Sequence, residues 1–117
     1  MIAIPTEGKL GLEEKVAEHF GRCKTYTLFD EKNGKIKVLD NKSEHKGGFG
    51  MPPEFIKNIG ADILICRDIG PRAIALCKDL GIDVYVANSQ TVKEAIEFWK
   101  NGKIKRADPK DSCKVHS

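Results

Sequence analysis

The sequence predicts an α/β fold in which helices pack against one mixed sheet of five strands. Two features predict this class. In the second half of the chain, short apolar runs at residues 63–66 and 84–87 alternate with helical segments, which is the pattern of parallel βαβ units. In the first half, strand-like runs at residues 25–32 and 35–40 are joined by Asn33-Gly34, a strong signal for a hairpin with a type I′ turn.

The beginning of the chain adds a strand and a helix to this arrangement. Residues 2–5 form a short apolar run that predicts the first strand. Leu12, Val16 and Phe20 then follow at a spacing of four residues, with charged residues between them. This spacing predicts an amphipathic helix over residues 10–20.

Helix signals in the second half are local and clear. Prolines near the start and glycines past the end predict helices over residues 53–59 and 71–80. A capping box at residues 91–94 predicts a third helix. We therefore predict one folded domain over residues 1–104 and a basic, flexible tail over residues 105–117.

Composition excludes several classes of protein. The 117 residues are 40% hydrophobic and 32% charged, which suits a globular domain with a core of its own. A net charge of +3 is too small to indicate nucleic-acid binding. The apolar runs are far shorter than the ~20 residues of a membrane helix, and no signal-peptide pattern opens the chain. We expect a cytoplasmic protein with no membrane contact, and the enrichment in Lys and Glu is a weak sign of a thermophilic source.

The predicted topology directs three loops to one edge of the sheet. In open α/β sheets, ligands bind beyond the carboxyl ends of the parallel strands. The loop after the first strand, the glycine-rich loop at residues 42–53 and the segment at residues 67–72 should meet there. The last of these leads into a helix N-terminus, which favours an anion such as a metal–sulfur cluster or a phosphate. The candidate binding residues in these loops are Arg22, His45, Gly70 and Arg72.

Soft metal ligands occur in two pairs. His19 and Cys23 stand four residues apart, and Cys113 and His116 form a C-x-x-H pair close to the end of the chain. If both pairs met, the four side chains would make a tetrahedral metal site. The structural alternative is a packed or surface histidine for the first pair, with Cys23 in a loop, and a disordered tail for the second.

Four segments, in this order, resemble the dinitrogenase iron–molybdenum cofactor biosynthesis family. They are His19-Phe20-Gly21-Arg22, residues 69–73 before a helix, residues 81–85, and residues 91–96. Each segment alone is a weak signal, but their order makes a strong one. The resemblance covers about residues 1–104.

The resemblance implies a ribonuclease-H-like, three-layer α/β fold with a five-stranded mixed sheet. It also implies a non-enzymatic protein that binds or carries an iron–sulfur or iron–molybdenum cluster, with His19 facing that cofactor. A carrier needs a protein that donates the cluster and one that accepts it, so such partners are expected. Cys23 and the Cys113/His116 pair are not part of the resemblance.

Two other functions stay open at this point. A zinc-binding or regulatory interaction module would use Cys113 and His116. A nuclease would follow from the ribonuclease-H-like fold, but two-metal nucleases need clustered carboxylates. The first strand carries no acid, and the acids near the predicted crevice are Glu7 and Asp68. Fold alone does not carry function, so a cluster carrier is the favoured prediction.

Overall fold

The computed structural model describes residues 1–43 and 51–107 and contains one mixed sheet of six strands. The strand order across the sheet is β3-β2-β1-β4-β5-β6. Strands β1, β4 and β5 are parallel, whereas β2, β3 and β6 each run antiparallel to their neighbours. The strands are β1 (Ile2–Thr6), β2 (Thr25–Phe29), β3 (Ile36–Asp40), β4 (Ile63–Cys66), β5 (Asp83–Val86) and β6 (Lys105–Arg106).

Three helices cover the two faces of this sheet: α1 (Pro52–Asn58), α2 (Pro71–Asp79) and α3 (Val92–Lys100). Helices α1 and α2 pack on one face, where Leu64 and Cys66 of β4 are fully buried. Helix α3 packs on the other face, against Ile65 of the same strand. Alternate residues of β4 therefore point into different cores, and this explains why its sequence is continuously apolar.

The predicted α/β class and most predicted elements are confirmed. The hairpin forms β2 and β3, and the apolar runs of the second half form the parallel strands β4 and β5. All three helices predicted from proline, glycine and capping signals are present within one or two residues of the expected bounds. At the start of α3, Thr91 Oγ1 accepts a hydrogen bond from the Glu94 N–H at 3.2 Å.

The prediction of a helix over residues 10–20 is wrong. This segment contains a single 3₁₀ turn, Gly11–Glu13, and then runs as irregular chain along the sheet. The Val16 N–H donates to the Gln90 carbonyl at 2.9 Å, and Val16 bridges to Thr6 of β1. Long-range backbone hydrogen bonds thus replace the helical ones, and Leu12 stays exposed.

Two further expectations need correction. The hairpin does not have a two-residue type I′ turn, because Gly34 has a φ of +74° but Asn33 does not have a positive φ. The Gly34 N–H instead donates to the Asp30 carbonyl at 2.7 Å, which closes a longer loop. The sheet also has six strands rather than five, because Arg106 in the predicted tail pairs with β5 and forms an ion pair with Asp83 at 2.6 Å.

The domain division at residue 104 stays a prediction, since residues 108–117 of the expected tail lie outside the described residues. Within residues 1–43 and 51–107, no helix has the length and apolar character needed to cross a membrane.

The irregular segment that replaces the predicted helix depends on Glu14. Its buried carboxylate accepts hydrogen bonds from the Leu10 N–H at 3.1 Å and from the Lys15 N–H at 2.8 Å. We predict that Glu14→Ala lowers the free energy of unfolding by about 1–3 kcal/mol, because both N–H groups lose their acceptor. Urea denaturation measures the effect. The neighbouring substitution Glu13→Ala, at an exposed site, is the control and should stay within about 0.5 kcal/mol of wild type; equal effects of the two substitutions would contradict the prediction.

Candidate functional site

Two loops meet at the carboxyl ends of β1 and β4. The Ala17 N–H donates to the Pro5 carbonyl of β1 at 2.8 Å, and the Phe20 N–H donates to the Asp68 carbonyl at 3.0 Å. Asp68 lies in the short connection between β4 and α2. These backbone hydrogen bonds fix the segment that carries His19 beside the start of α2, as the predicted topology requires.

Gly21 allows this segment to pack closely against α1. Its φ is +93°, a conformation that side chains with a Cβ rarely adopt. A Cβ at this position would also lie 3.1 Å from Cγ of Pro52. Gly21 follows the helix predicted over residues 10–20, but in the structure it turns the loop and brings it against the first residue of α1.

Aromatic contacts anchor the same loop in the core. The Phe20 ring lies 6.1 Å from the buried Tyr26 ring, which lies 5.9 Å from that of Phe55 on α1. These tilted arrangements are the ones that aromatic pairs prefer. The two residues on either side of Phe20, His19 and Gly21, are therefore held by a side chain that packs inward.

His19 is exposed at the edge of a small polar cavity. Its side chain is 56% accessible, and its Nδ1 lies 3.0 Å from Oδ2 of Asp68. The cavity has a volume of about 270 Å³. It is lined by His19, Phe20, Arg22, Asp68, Ile69 and Gly70. The expected proximity of His19, Arg22 and Gly70 is thus observed.

A larger and more apolar cavity, of about 610 Å³, adjoins the first and shares Phe20 and Gly70 with it. Residues 51–53 at the start of α1 form one wall, and residues 70–73 with Leu76 of α2 form the other. Arg72 lies on this second wall and is exposed. The two cavities together form an open crevice with a polar end at His19 and an apolar end between the two helices.

The electrostatic character of the crevice is mixed. Gly70, the N-cap residue of α2, has no side chain that could cap the first turn, and among the described residues the N–H groups and the dipole of this helix are available to an anion. Arg22 and Arg72 add positive charge, and both are exposed. The Asp68 carboxylate opposes them, but it is engaged by His19. Arg67, in the same connection as Asp68, is directed away and donates to Asn88 Oδ1 at 3.2 Å.

Cys23 does not lie at the edge of the crevice. It is 6% accessible and belongs to the core between the sheet and helices α1 and α2. Burial raises the pKa of its thiol. Asn41 holds the surrounding backbone, since its Nδ2 donates to the carbonyls of Cys23 at 2.9 Å and of Gly21 at 3.3 Å. Only a helix continued through both residues would place Cys23 and His19 on one face, and no helix forms there.

The remaining predicted ligands lie outside the described residues. They are His45, Cys113 and His116. Strand β6 runs from Val86 toward the amino end of β5, so the chain at Ala107 is directed away from the crevice. Within residues 1–43 and 51–107, no group of three or more His, Cys, Asp or Glu side chains is arranged to hold a metal ion. The proposed tetrahedral set therefore stays untested, with Cys23 buried apart from His19.

Sequence reasoning missed two residues that shape this site. Asp68 was considered only as a nuclease acid, yet its side chain contacts His19 and its carbonyl accepts a hydrogen bond from the Phe20 N–H. Asn41 was not considered at all. Both act on residues far along the chain, and no local pattern in the sequence indicates such contacts.

The structure is thus an α/β domain with an open crevice at the carboxyl edge of its parallel strands. The chain belongs to the dinitrogenase iron-molybdenum cofactor family, whose model matches residues 1–102. It is 33% identical over 110 residues to the uncharacterized protein MJ0580 of Methanocaldococcus jannaschii, covering 90% of this chain and 89% of that protein.

Solved structures confirm the similarity of fold. An NMR structure of a proposed NifB protein from Thermotoga is 28% identical, with a TM-score of 0.72 and coverage of 90% of each chain. The apo form of the orange protein from Desulfovibrio gigas is 24% identical, with a TM-score of 0.78 and coverage of 91% of each chain. The second likeness concerns the fold alone.

The buried cysteines should be poor nucleophiles. Cys23, Cys66 and Cys77 all lie in the core, and burial raises the pKa of each thiol, so the reactive thiolate is scarce at neutral pH. We predict that iodoacetamide labels these three residues roughly tenfold or more slowly in the native protein than in urea. Peptide mapping by mass spectrometry measures each rate separately. Rapid labelling of Cys23 in the native state would contradict its burial.

Proposed function

We propose that this protein is a non-enzymatic carrier of an iron–sulfur or molybdenum-containing metal–sulfur cluster. The observation that supports it best is the position of His19, whose imidazole stands at the edge of the crevice beside the start of α2. Membership of the cofactor family agrees with this cargo. The carrier would receive the cluster from one protein and pass it to another.

The chemistry of the side chains present suits a preassembled cluster. A mononuclear structural ion needs about four protein ligands. A cluster already has its metals bridged by sulfide, so a single imidazole can attach it while the crevice supports its remaining surface. The apolar wall between α1 and α2 would then exclude water from one side of the cluster, and Arg22 and Arg72 would balance its negative charge.

We also propose that the fold is ribonuclease-H-like, which the resemblance implied. The order β3-β2-β1-β4-β5, with β2 antiparallel to both neighbours, supports this assignment. A nuclease activity has less support. Glu7 is exposed, Asp68 is paired with His19, and the described residues hold no cluster of carboxylates for two metal ions.

The first test is reconstitution without oxygen. The protein is incubated with iron, sulfide and molybdate, freed of excess reagents, and analysed for metal, sulfide and visible sulfide-to-metal absorption. We expect the wild-type protein to retain the cluster. His19→Ala should retain less than half as much metal and sulfide, because the imidazole is the attachment group. Glu18→Ala, an exposed neighbour in the same loop, is the matched control and should bind like wild type.

Cys23→Ala separates the imidazole from the thiol in the same experiment. Because the thiol is buried, this variant should be less stable but should still bind the cluster. A colourless wild-type protein would overturn the proposed function. Stoichiometric zinc that is lost on deletion of residues 107–117, and unaffected by His19→Ala, would instead support the zinc-binding module.

The charge of the cargo gives a second prediction. Arg22→Ala and Arg72→Ala should each weaken cluster binding roughly two- to fivefold, because each removes one exposed cation near an anion. The loss should shrink in 0.5 M salt, roughly the range in which such interactions are screened. Arg106→Ala is the control, since this exposed arginine pairs with Asp83 at the other end of β5. Equal effects of all three substitutions would show that the crevice is not the binding site.

A further inference from the structure

The contact between His19 and Asp68 has a chemical consequence for the imidazole. An imidazole has two nitrogens, and the one that carries the proton cannot bind a metal. His19 Nδ1 lies 3.0 Å from Asp68 Oδ2, which is within hydrogen-bond distance. An ionised carboxylate carries no proton and can only accept, so Nδ1 is the donor in this hydrogen bond. Among the described residues, Nε2 of His19 has no hydrogen-bond partner.

We propose that Asp68 is a positioning residue that holds His19 as its Nδ1–H tautomer and leaves the Nε2 lone pair free to bind a metal atom of the cluster. This inference rests on the proposed function and names the atom through which the cargo would attach. Histidines that bind metals commonly donate their other N–H to a carboxylate, which fixes the tautomer and makes the free nitrogen more basic.

An exposed pair of this kind is weak on its own, because the Asp68 and His19 side chains are 65% and 56% accessible. Here the backbone limits their freedom. The Phe20 N–H donates to the Asp68 carbonyl at 3.0 Å, so the two segments are joined next to the side-chain contact. Phe20 and Ile69, the neighbours of the pair, both pack against the main core. The backbone atoms of both residues are therefore held in place. The two side chains lose little conformational entropy when they pair.

The arrangement also explains an acid in a crevice that should attract an anion. A free carboxylate would repel a negatively charged cluster. A carboxylate that accepts the Nδ1–H has part of its charge offset by the polarised imidazole, and the ring separates it from the metal at Nε2. Asp68 can thus make His19 Nε2 a more basic metal ligand without itself contacting the cluster.

The tautomer can be measured in the metal-free protein by ¹⁵N NMR of the imidazole, in a pH series that is extended until the ¹⁵N shifts reach their alkaline plateau. The His19 resonances are assigned by their absence in His19→Ala. We expect a protonated Nδ1 and a bare Nε2 in wild type. Asp68→Ala should shift the population toward the Nε2–H form, whereas Asp68→Asn should restore the wild-type signature because its amide oxygen can accept the same hydrogen bond.

Cluster binding gives the second readout. After reconstitution with iron, sulfide and molybdate, Asp68→Ala should bind roughly 10- to 100-fold more weakly than wild type, the usual cost of removing such a partner. Asp83→Ala, which removes a carboxylate from another exposed ion pair far from the crevice, is the matched control and should bind like wild type.

The two proposals fail in different ways. An Nε2–H tautomer in wild type, or a tautomer unchanged by Asp68→Ala, overturns the role of Asp68 whatever the protein binds. Wild-type affinity in Asp68→Ala likewise overturns it. A wild-type protein that binds no cluster but shows the expected tautomer and its loss in Asp68→Ala overturns the carrier function and supports the orientation of the imidazole.

Discussion

The whole candidate site depends on two backbone hydrogen bonds that attach residues 17–20 to the sheet. One joins Ala17 to Pro5 of β1, and the other joins Phe20 to Asp68 beyond β4. Since β1 and β4 are adjacent and parallel, these contacts hold one loop across the ends of two strands. Without them, the loop that carries His19 would be anchored mainly by the Phe20 side chain, and His19 would lose its fixed position beside the start of α2. The geometry of the crevice is thus a property of the backbone.

This dependence explains which parts of the fold were predictable from the sequence. Strands β4 and β5 and helices α1 to α3 carry their own signals: continuous apolar runs, prolines, glycines and a capping threonine. Residues 10–20 carry an equally good helical spacing, but Val16 satisfies its backbone through Gln90 and Thr6. Contacts across such distances in the chain are invisible to a local pattern. The same holds for β6, a pair of exposed residues with no apolar alternation.

The candidate site was predictable in outline for a similar reason. Topology alone brings the loop after β1 and the start of α2 to one edge, and His19, Arg22 and Gly70 meet there. The burial and the contacts of an individual side chain could not be predicted from topology. Cys23 follows Arg22 by one residue, yet it is buried because Asn41 and Tyr26 enclose its part of the loop. The pairing of Asp68 with His19 spans 49 positions of the chain and has no signature in either segment.

The burial of all three described cysteines has a consequence for how the proposed cluster would be released. Thiolates are the softer ligands and are preferred by iron–sulfur clusters, so a neutral imidazole is the weaker attachment. With Cys23, Cys66 and Cys77 enclosed in the core, none of these three thiols is accessible to a metal at the described surface, where the exposed Met51 beside the crevice offers only a thioether. Under the proposed function, an acceptor protein that presents a thiolate would compete with the His19 imidazole and with none of the three buried thiols, which would favour transfer to the acceptor.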